Sequence, residues 1–143
     1  MSDSPGMTDS YFSQTATGRA PDAHGSFARL DDQPILDAGG GVTFQVVPGA
    51  SLLLSYVTMA PHGVAAVHAH DEEQMGLIVS GSGEMELDGL SCQLAAGDVY
   101  HAPPGVPHGI VAGPQGCVIV DLFSPPRRAL LALLAQTEAA TTR

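Results

Sequence analysis

Lysine and tryptophan are absent from this 143-residue chain, and its five basic residues, all arginine, face 15 acidic ones for a formal net charge of −10. Nucleic acid and anionic membranes both demand a basic surface, so neither is expected as a partner. The two cysteines, Cys92 and Cys117, are too few and too isolated for a disulfide framework. They read as small buried apolar side chains in a reducing compartment. The longest apolar run, Ala129 to Ala135, is far too short to span a bilayer. Met1 to Ala20 is polar, without the apolar core of a signal peptide, so a cytoplasmic location is the expectation. No internal repeat of fixed period is present.

What is abundant is punctuation, with 17 glycines and 11 prolines. From Gly40 onward these residues bound short β-type runs: Val42 to Val47, Ser51 to Met59, Val64 to Ala69, Gln74 to Val79, Gly83 to Leu87, Ser91 to Leu94, Asp98 to Ala102, Gly109 to Ala112 and Cys117 to Phe123. Asp88-Gly89 between two alternating runs signals a tight hairpin. Many short strands at this spacing predict an all-β sandwich or barrel. The period changes over Pro125 to Gln136, where a C-terminal α-helix is expected with Ser124 as cap and Pro126 in its first turn. Its leucines, Leu130, Leu131, Leu133 and Leu134, are more than one narrow stripe needs, so the helix packs on its own barrel or on a partner subunit. The reading is therefore a flexible arm over residues 1–33, one β-barrel domain with its helix over 34–136, and a disordered tail over 137–143.

Four side chains in the strand region have the chemistry of a metal site. Alternate residues of a strand face one side, so His68 and His70 can aim two imidazoles at one point. Gln74 follows the next turn. His108 arrives at the end of Ala102-Pro103-Pro104-Gly105-Val106-Pro107, whose prolines stiffen the backbone that presents it. Imidazole and amide oxygen suit a first-row divalent ion, with Zn, Ni, Fe, Co and Mn all admissible. Neutral ligands leave the ion its full charge, which favours Lewis-acid chemistry. Glu73 adjoins Gln74 and could take its place; His101 could add a fifth ligand, a supporting hydrogen bond, or stand only at the barrel mouth. Glu72 reads as a solvated turn charge, and His24 and His62 as loop residues.

The stretches GVAAVHAHDEEQMGLIVSG, from Gly63, and GDVYHAPPGVPH, from Gly97, resemble the two signature motifs of the cupin superfamily. The likeness covers about Val42 to Arg127. In the second motif Gly97, Pro103, Gly105 and His108 keep the family spacing, with Ala112 where an Asn is usual. In the first, the position of the family's glycine falls on His62, and the glutamate ligand position holds Gln74. A Gln there is similar to the KdgF-like proteins of uronate breakdown. So is the run Asp121-Leu122-Phe123-Ser124-Pro125-Pro126-Arg127, whose D-x-F-x-x-x-R spacing surrounds the substrate pocket in those proteins.

The resemblance implies a jelly-roll barrel, metal ligands His68, His70, Gln74 and His108, and catalytic residues Asp121, Phe123 and Arg127. Asp121 would move a proton, Arg127 would pair with a substrate carboxylate and Phe123 would pack on the substrate. The implied reaction is ring opening, isomerisation or tautomerisation of an unsaturated uronate or related enol. Similar sites also serve cyclases, lyases, decarboxylases and iron dioxygenases, and a non-catalytic ligand-binding module is a further alternative. A homodimer acting on a small molecule is the expected assembly.

Overall fold

The computed structural model describes residues 11–141. A 3-10 turn at Leu30–Asp32 leads into eight strands, β1 (Leu36–Gly39), β2 (Val42–Pro48), β3 (Leu53–Met59), β4 (Val64–His68), β5 (Glu73–Leu87), β6 (Leu90–Ala95), β7 (Val99–Ala102) and β8 (His108–Ser124), followed by the helix α1 (Arg128–Thr141). Every strand pairing is antiparallel.

Two long strands organise the jelly roll. β5 has 15 residues and β8 has 17, and they pair along most of their length. The sequence reading divides each in two, at Ser80 to Ser82 and at Gly113-Pro114. In the structure these segments bend the strands without ending them. The β5–β8 register shifts between Ile78 and Ser80 and again between Gly81 and Gly83, as bulges that turn one pair of strands from one layer into the other. The first half of β5 then pairs with β7, and the second half of β8 with β3, which continues to β2 and β1. The second half of β5 pairs with β6, and the first half of β8 with β4. Two layers thus share the same two strands, with the core between them.

The Asp88-Gly89 hairpin is present: both residues have positive φ, 52° and 78°, and Leu87 pairs directly with Leu90. β1 lies outside the strands expected from sequence, because Asp37 and Gly39 carry no strand preference. It forms because Leu36, fully buried, pairs opposite Phe44 and contributes to a core of Val46, Leu53, Phe123 and Leu130.

The helix also departs from expectation. It begins at Arg128, since Pro125 and Pro126 hold the residues before them extended. Ser124 does not cap it; its Oγ donates to the Ser51 carbonyl at 3.1 Å. The Arg128 N–H instead donates to Glu72 Oε2 at 3.1 Å, a carboxylate at the positive end of the helix. α1 continues through residues 137–141, where the sequence reading starts a tail, because alanine-rich sequence keeps helical backbone favourable without large side chains. It packs on its own barrel: Leu130 is buried, and Leu131, Leu133 and Leu134 are partly buried on the same cluster. Among the described residues no helix is long and apolar enough to cross a membrane.

Candidate metal centre

β4 ends at His68, and the strand register places His68 directly opposite His108, the first residue of β8. His70 lies just beyond the strand, in the turn before β5, and still reaches the same point. Ring centroids are 4.6 Å apart for His68 and His108, 5.0 Å for His70 and His108 and 5.7 Å for His68 and His70. One ligand nitrogen from each lies within 4.8 Å of the other two.

The same device orients two of these rings. His68 Nδ1–H donates to the Ala66 carbonyl at 2.7 Å, and His108 Nδ1–H to the Val106 carbonyl at 2.9 Å. In each, the carbonyl two residues back claims Nδ1 and leaves Nε2 as the free lone pair, the arrangement metal-ligating histidines use. His108 Nε2 is buried with no hydrogen-bond partner among the described residues. Burial lowers the pKa of both imidazoles, against the two backbone bonds that raise it, and the nearby Arg127 charge lowers it further. Neutral, desolvated, unpartnered donors fit a divalent cation.

Gln74, buried on β5, completes the group. His70 Nε2 and Gln74 Oε1 lie 2.9 Å apart, close to the roughly 3 Å expected between two neighbouring ligands of one first-row ion. Gln74 Nε2 donates to the Tyr100 hydroxyl at 2.7 Å, and that hydroxyl donates to Asp121 Oδ1. A buried chain Gln74–Tyr100–Asp121 therefore runs from the candidate ligands to the candidate acid/base. Asp121 is pushed up to about 6 by burial, while hydrogen bonds from Tyr100 and Gln74 and the charge of Arg127 pull the other way. Tyr100 is raised well above its usual value by burial and by Asp121. Tyr100 is absent from the sequence-based site, where an aromatic on a strand reads as core. Its signal was positional: Gly76 sits between Tyr100 on β7 and Asp121 on β8, leaving the room in which they meet.

Phe123 packs its ring edge against His70, with centroids 5.6 Å apart, and the Arg127 guanidinium carbon lies 5.6 Å from the Phe123 centroid. Arg127 Nε is buried without a partner among the described residues. Burial lowers its pKa, against the charges of Glu72 and Asp121. His68, Gln74, Tyr100, His108, Asp121 and Arg127 all wall one cavity of about 60 Å³. A larger groove of about 560 Å³ crosses the β4–β8–β5–β6 layer, but its polar walls are Ser82, Glu84, Glu86, Ser91 and Gln93, without a histidine or arginine.

The remaining candidates separate cleanly. Glu73 points outward and pairs with His101 Nε2 at 2.7 Å, so neither residue joins the cluster. Glu72, read from sequence as a solvated charge, is buried: it caps α1 and places Oε1 3.7 Å from His70 Nδ1. Burial would raise its pKa, but hydrogen bonds from Arg128 and from its own backbone, with the charges of His70 and Arg127, hold it below the usual value. His62 has φ 60°, a left-handed conformation at the position where the motif usually has glycine. It and His24 are exposed and away from the cluster.

A two-layer jelly roll with three histidines converging inside defines a cupin-type metal site. The family model for the cupin domain matches residues 55–123. The pectin degradation protein KdgF of Dickeya dadantii is 30% identical over 99 residues, covering 68% of this chain and 90% of that protein. The chain belongs to the cupin family. The KdgF structure from Halomonas sp. is similar, with a TM-score of 0.70 and 30% identity over 75% of this chain and 99% of that one. A shorter match, 44% identical over 59 residues, is to the H2HPP isomerase of Bacillus subtilis, 41% of this chain and 24% of that protein.

Proposed function

We propose that this cupin is a metal-dependent isomerase that moves a proton beside the carbonyl of a small carboxylated substrate. His68, His70, Gln74 and His108 hold one divalent ion, which when bound supplies Lewis acidity toward a substrate oxygen. The observation that carries the reading is Asp121: a buried carboxylate facing the same 60 Å³ cavity as His68 and His108, held by hydrogen bonds from Tyr100 and Gln74. Its carboxylate removes a proton from the carbon beside the carbonyl and returns it at the isomeric position, so the reaction needs no co-reactant. The raised pKa suits it to both halves of the transfer near neutral pH. Arg127 receives the substrate carboxylate, and Phe123 holds the guanidinium side of the site in place. One relative is named an isomerase and another a pectin degradation protein, and the first name agrees with such chemistry.

The test joins metal analysis to proton exchange. Wild type should carry one first-row ion per chain and His108→Ala should lose it. The metal-loaded protein should exchange the C3 protons of 2-oxo acids with D2O, and Asp121→Asn should slow that exchange at least about 100-fold, the usual worth of a positioned acid/base. Metal binding unaffected in His108→Ala, or exchange unaffected in Asp121→Asn, overturns the assignment.

The assembly we propose is a homodimer joined through the outer face of the β3–β8–β5–β7 layer. Register aligns Leu54, Leu122 and Met75 in one row and Tyr56, Val120, Leu77 and Val99 in the next. Leu54, Leu122, Met75, Leu77 and Val99 are each more than one-third exposed. The first row ends at His101, which pairs with Glu73 at the rim, while the second carries no charged residue, so in a chain of net charge −10 two copies can meet along it with few like charges opposed. The cytoplasmic location we assign rests on the sequence; of the two cysteines read there as buried, Cys117 is buried and Cys92 is exposed.

A further inference from the structure

Beside the inner cavity lies a second, more open cleft of about 360 Å³ between α1, the β1–β2 turn and β4. The two share the walls Val42, Phe44, Ala65, His68 and Arg127, so the cleft opens onto the cavity where the ligand and the arginine stand. Their sizes divide the substrate. The inner cavity, about 60 Å³, is much the smaller of the two and takes the reacting group. The rest of any larger substrate must occupy the cleft.

The cleft wall is chemically one-sided. Apart from His68 and Arg127, every residue lining it is apolar or glycine, with Phe44, Ala66, Ala129, Leu130 and Leu133 forming the helix-facing wall. The polar groups of the inner cavity are already assigned: Gln74, Tyr100 and Asp121 are bonded to one another, Asp121 faces the reacting carbon, Arg127 takes the carboxylate, and the histidines converge on the metal position. Hydroxyls of a polyhydroxylated body find no side-chain partner in the cleft beyond His68 and Arg127, and each that loses its water there unpaired costs about 1–3 kcal/mol. An alkyl or aryl body would gain from burial.

We infer that the substrate is a 2-oxo or enol carboxylate with an apolar body, its carboxylate on Arg127 and its body in the cleft against α1, and that the hydroxylated sugar acids are disfavoured. This rests on the isomerase reading above and narrows its substrate class. The helix then acts as a specificity wall: its leucines pack the core on one side, and its Ala129 leaves the cleft open on the other.

The test uses the metal-loaded full chain and a homologous series of 2-oxo acids, following exchange of the C3 protons with D2O by NMR. From pyruvate through 2-oxobutanoate and 2-oxopentanoate to 2-oxohexanoate, kcat/KM should rise by up to roughly fourfold per methylene, the burial value of one CH2. 2-Dehydro-3-deoxygluconate, of the same carbon number but hydroxylated, should fall at least tenfold below 2-oxohexanoate. Ala129→Trp, at an exposed helix position, fills the cleft and should lower the 2-oxohexanoate to pyruvate ratio at least tenfold, while Ala135→Trp on the opposite helix face should keep it. Calorimetry with hexanoate and acetate gives the same comparison without turnover: hexanoate should bind tighter, and Ala129→Trp should abolish the difference. A flat series, or preference for the hydroxylated acid, with exchange otherwise intact, overturns the apolar assignment and leaves the isomerase reading standing. Absence of exchange on every acid overturns that reading, and the carboxylate binding series then decides the cleft alone.

Discussion

Gly76 is the residue on which the polar chain of the site most directly depends. A Cβ there would collide with the Tyr100 ring and the Asp121 carboxylate, which meet over it from the flanking strands. Gly76→Ala should therefore destabilise the fold by about 1–3 kcal/mol, the range for overpacking a filled core, and should lower proton exchange more than it lowers metal content. Urea unfolding read beside elemental analysis separates the two effects. Asp121 supplies a pH signature of its own. Its pKa is about 6 in the fold against an ordinary 3.8, so the folded state holds the proton more tightly. Its contribution to stability is then fully present below about pH 4 and lost as pH rises through 6, by about 3 kcal/mol for a shift near two units. In metal-stripped protein, Asp121→Asn should gain stability relative to wild type across that window; a constant difference from pH 4 to 7 would contradict the protonation assigned here.

At the scale of elements, α1 is held less by its own propensity than by what it covers. Leu130 closes the cluster of Leu36, Val46, Leu53 and Phe123, and Phe123 in turn packs on His70. Leu130→Ala should cost about 2–5 kcal/mol with an unchanged urea m-value, and should weaken metal affinity through the loosened Phe123. The elements also explain what could be read from residues alone. The histidines were legible because alternation and a proline-stiffened turn fix which side chains share a face, whereas Asp121, and Gln74 as a ligand, were legible through the likeness of their runs to KdgF-like cupins. The hairpin at Asp88-Gly89 was legible because the left-handed region selects those residues. The continuity of β5 and β8 was not, because Ser80 to Ser82 and Gly113-Pro114 read as turns when they are irregularities in one continuous pairing, in which Gly81 meets Cys117 and Gly83 meets Ala112. Tyr100 and Glu72 were hidden for a similar reason. Each is defined by a partner on another element, Asp121 for one and the Arg128 N–H for the other.

For the whole molecule, the largely apolar outer rows make a concentration-dependent prediction. Sedimentation should find a dimer at micromolar concentration, and Leu77→Asp, at a position 43% exposed, should yield a folded monomer, because it sets two carboxylates against each other across the axis. A monomeric wild type would remove the interface. β8 has a further bearing on the molecule, on how its gene can change length. One continuous strand carries His108 at its start and Asp121 and Phe123 near its end. Between them, Ala112 pairs with Gly83 and Cys117 with Gly81, so four residues of β8 oppose one of β5. Insertions or deletions can be absorbed in that excursion without altering either end. A single residue gained between Cys117 and Asp121 would turn the carboxylate out of the barrel while every metal ligand stayed in place. Descendants that keep the ion and lose the reaction could thus arise by one codon, without any substitution at the site.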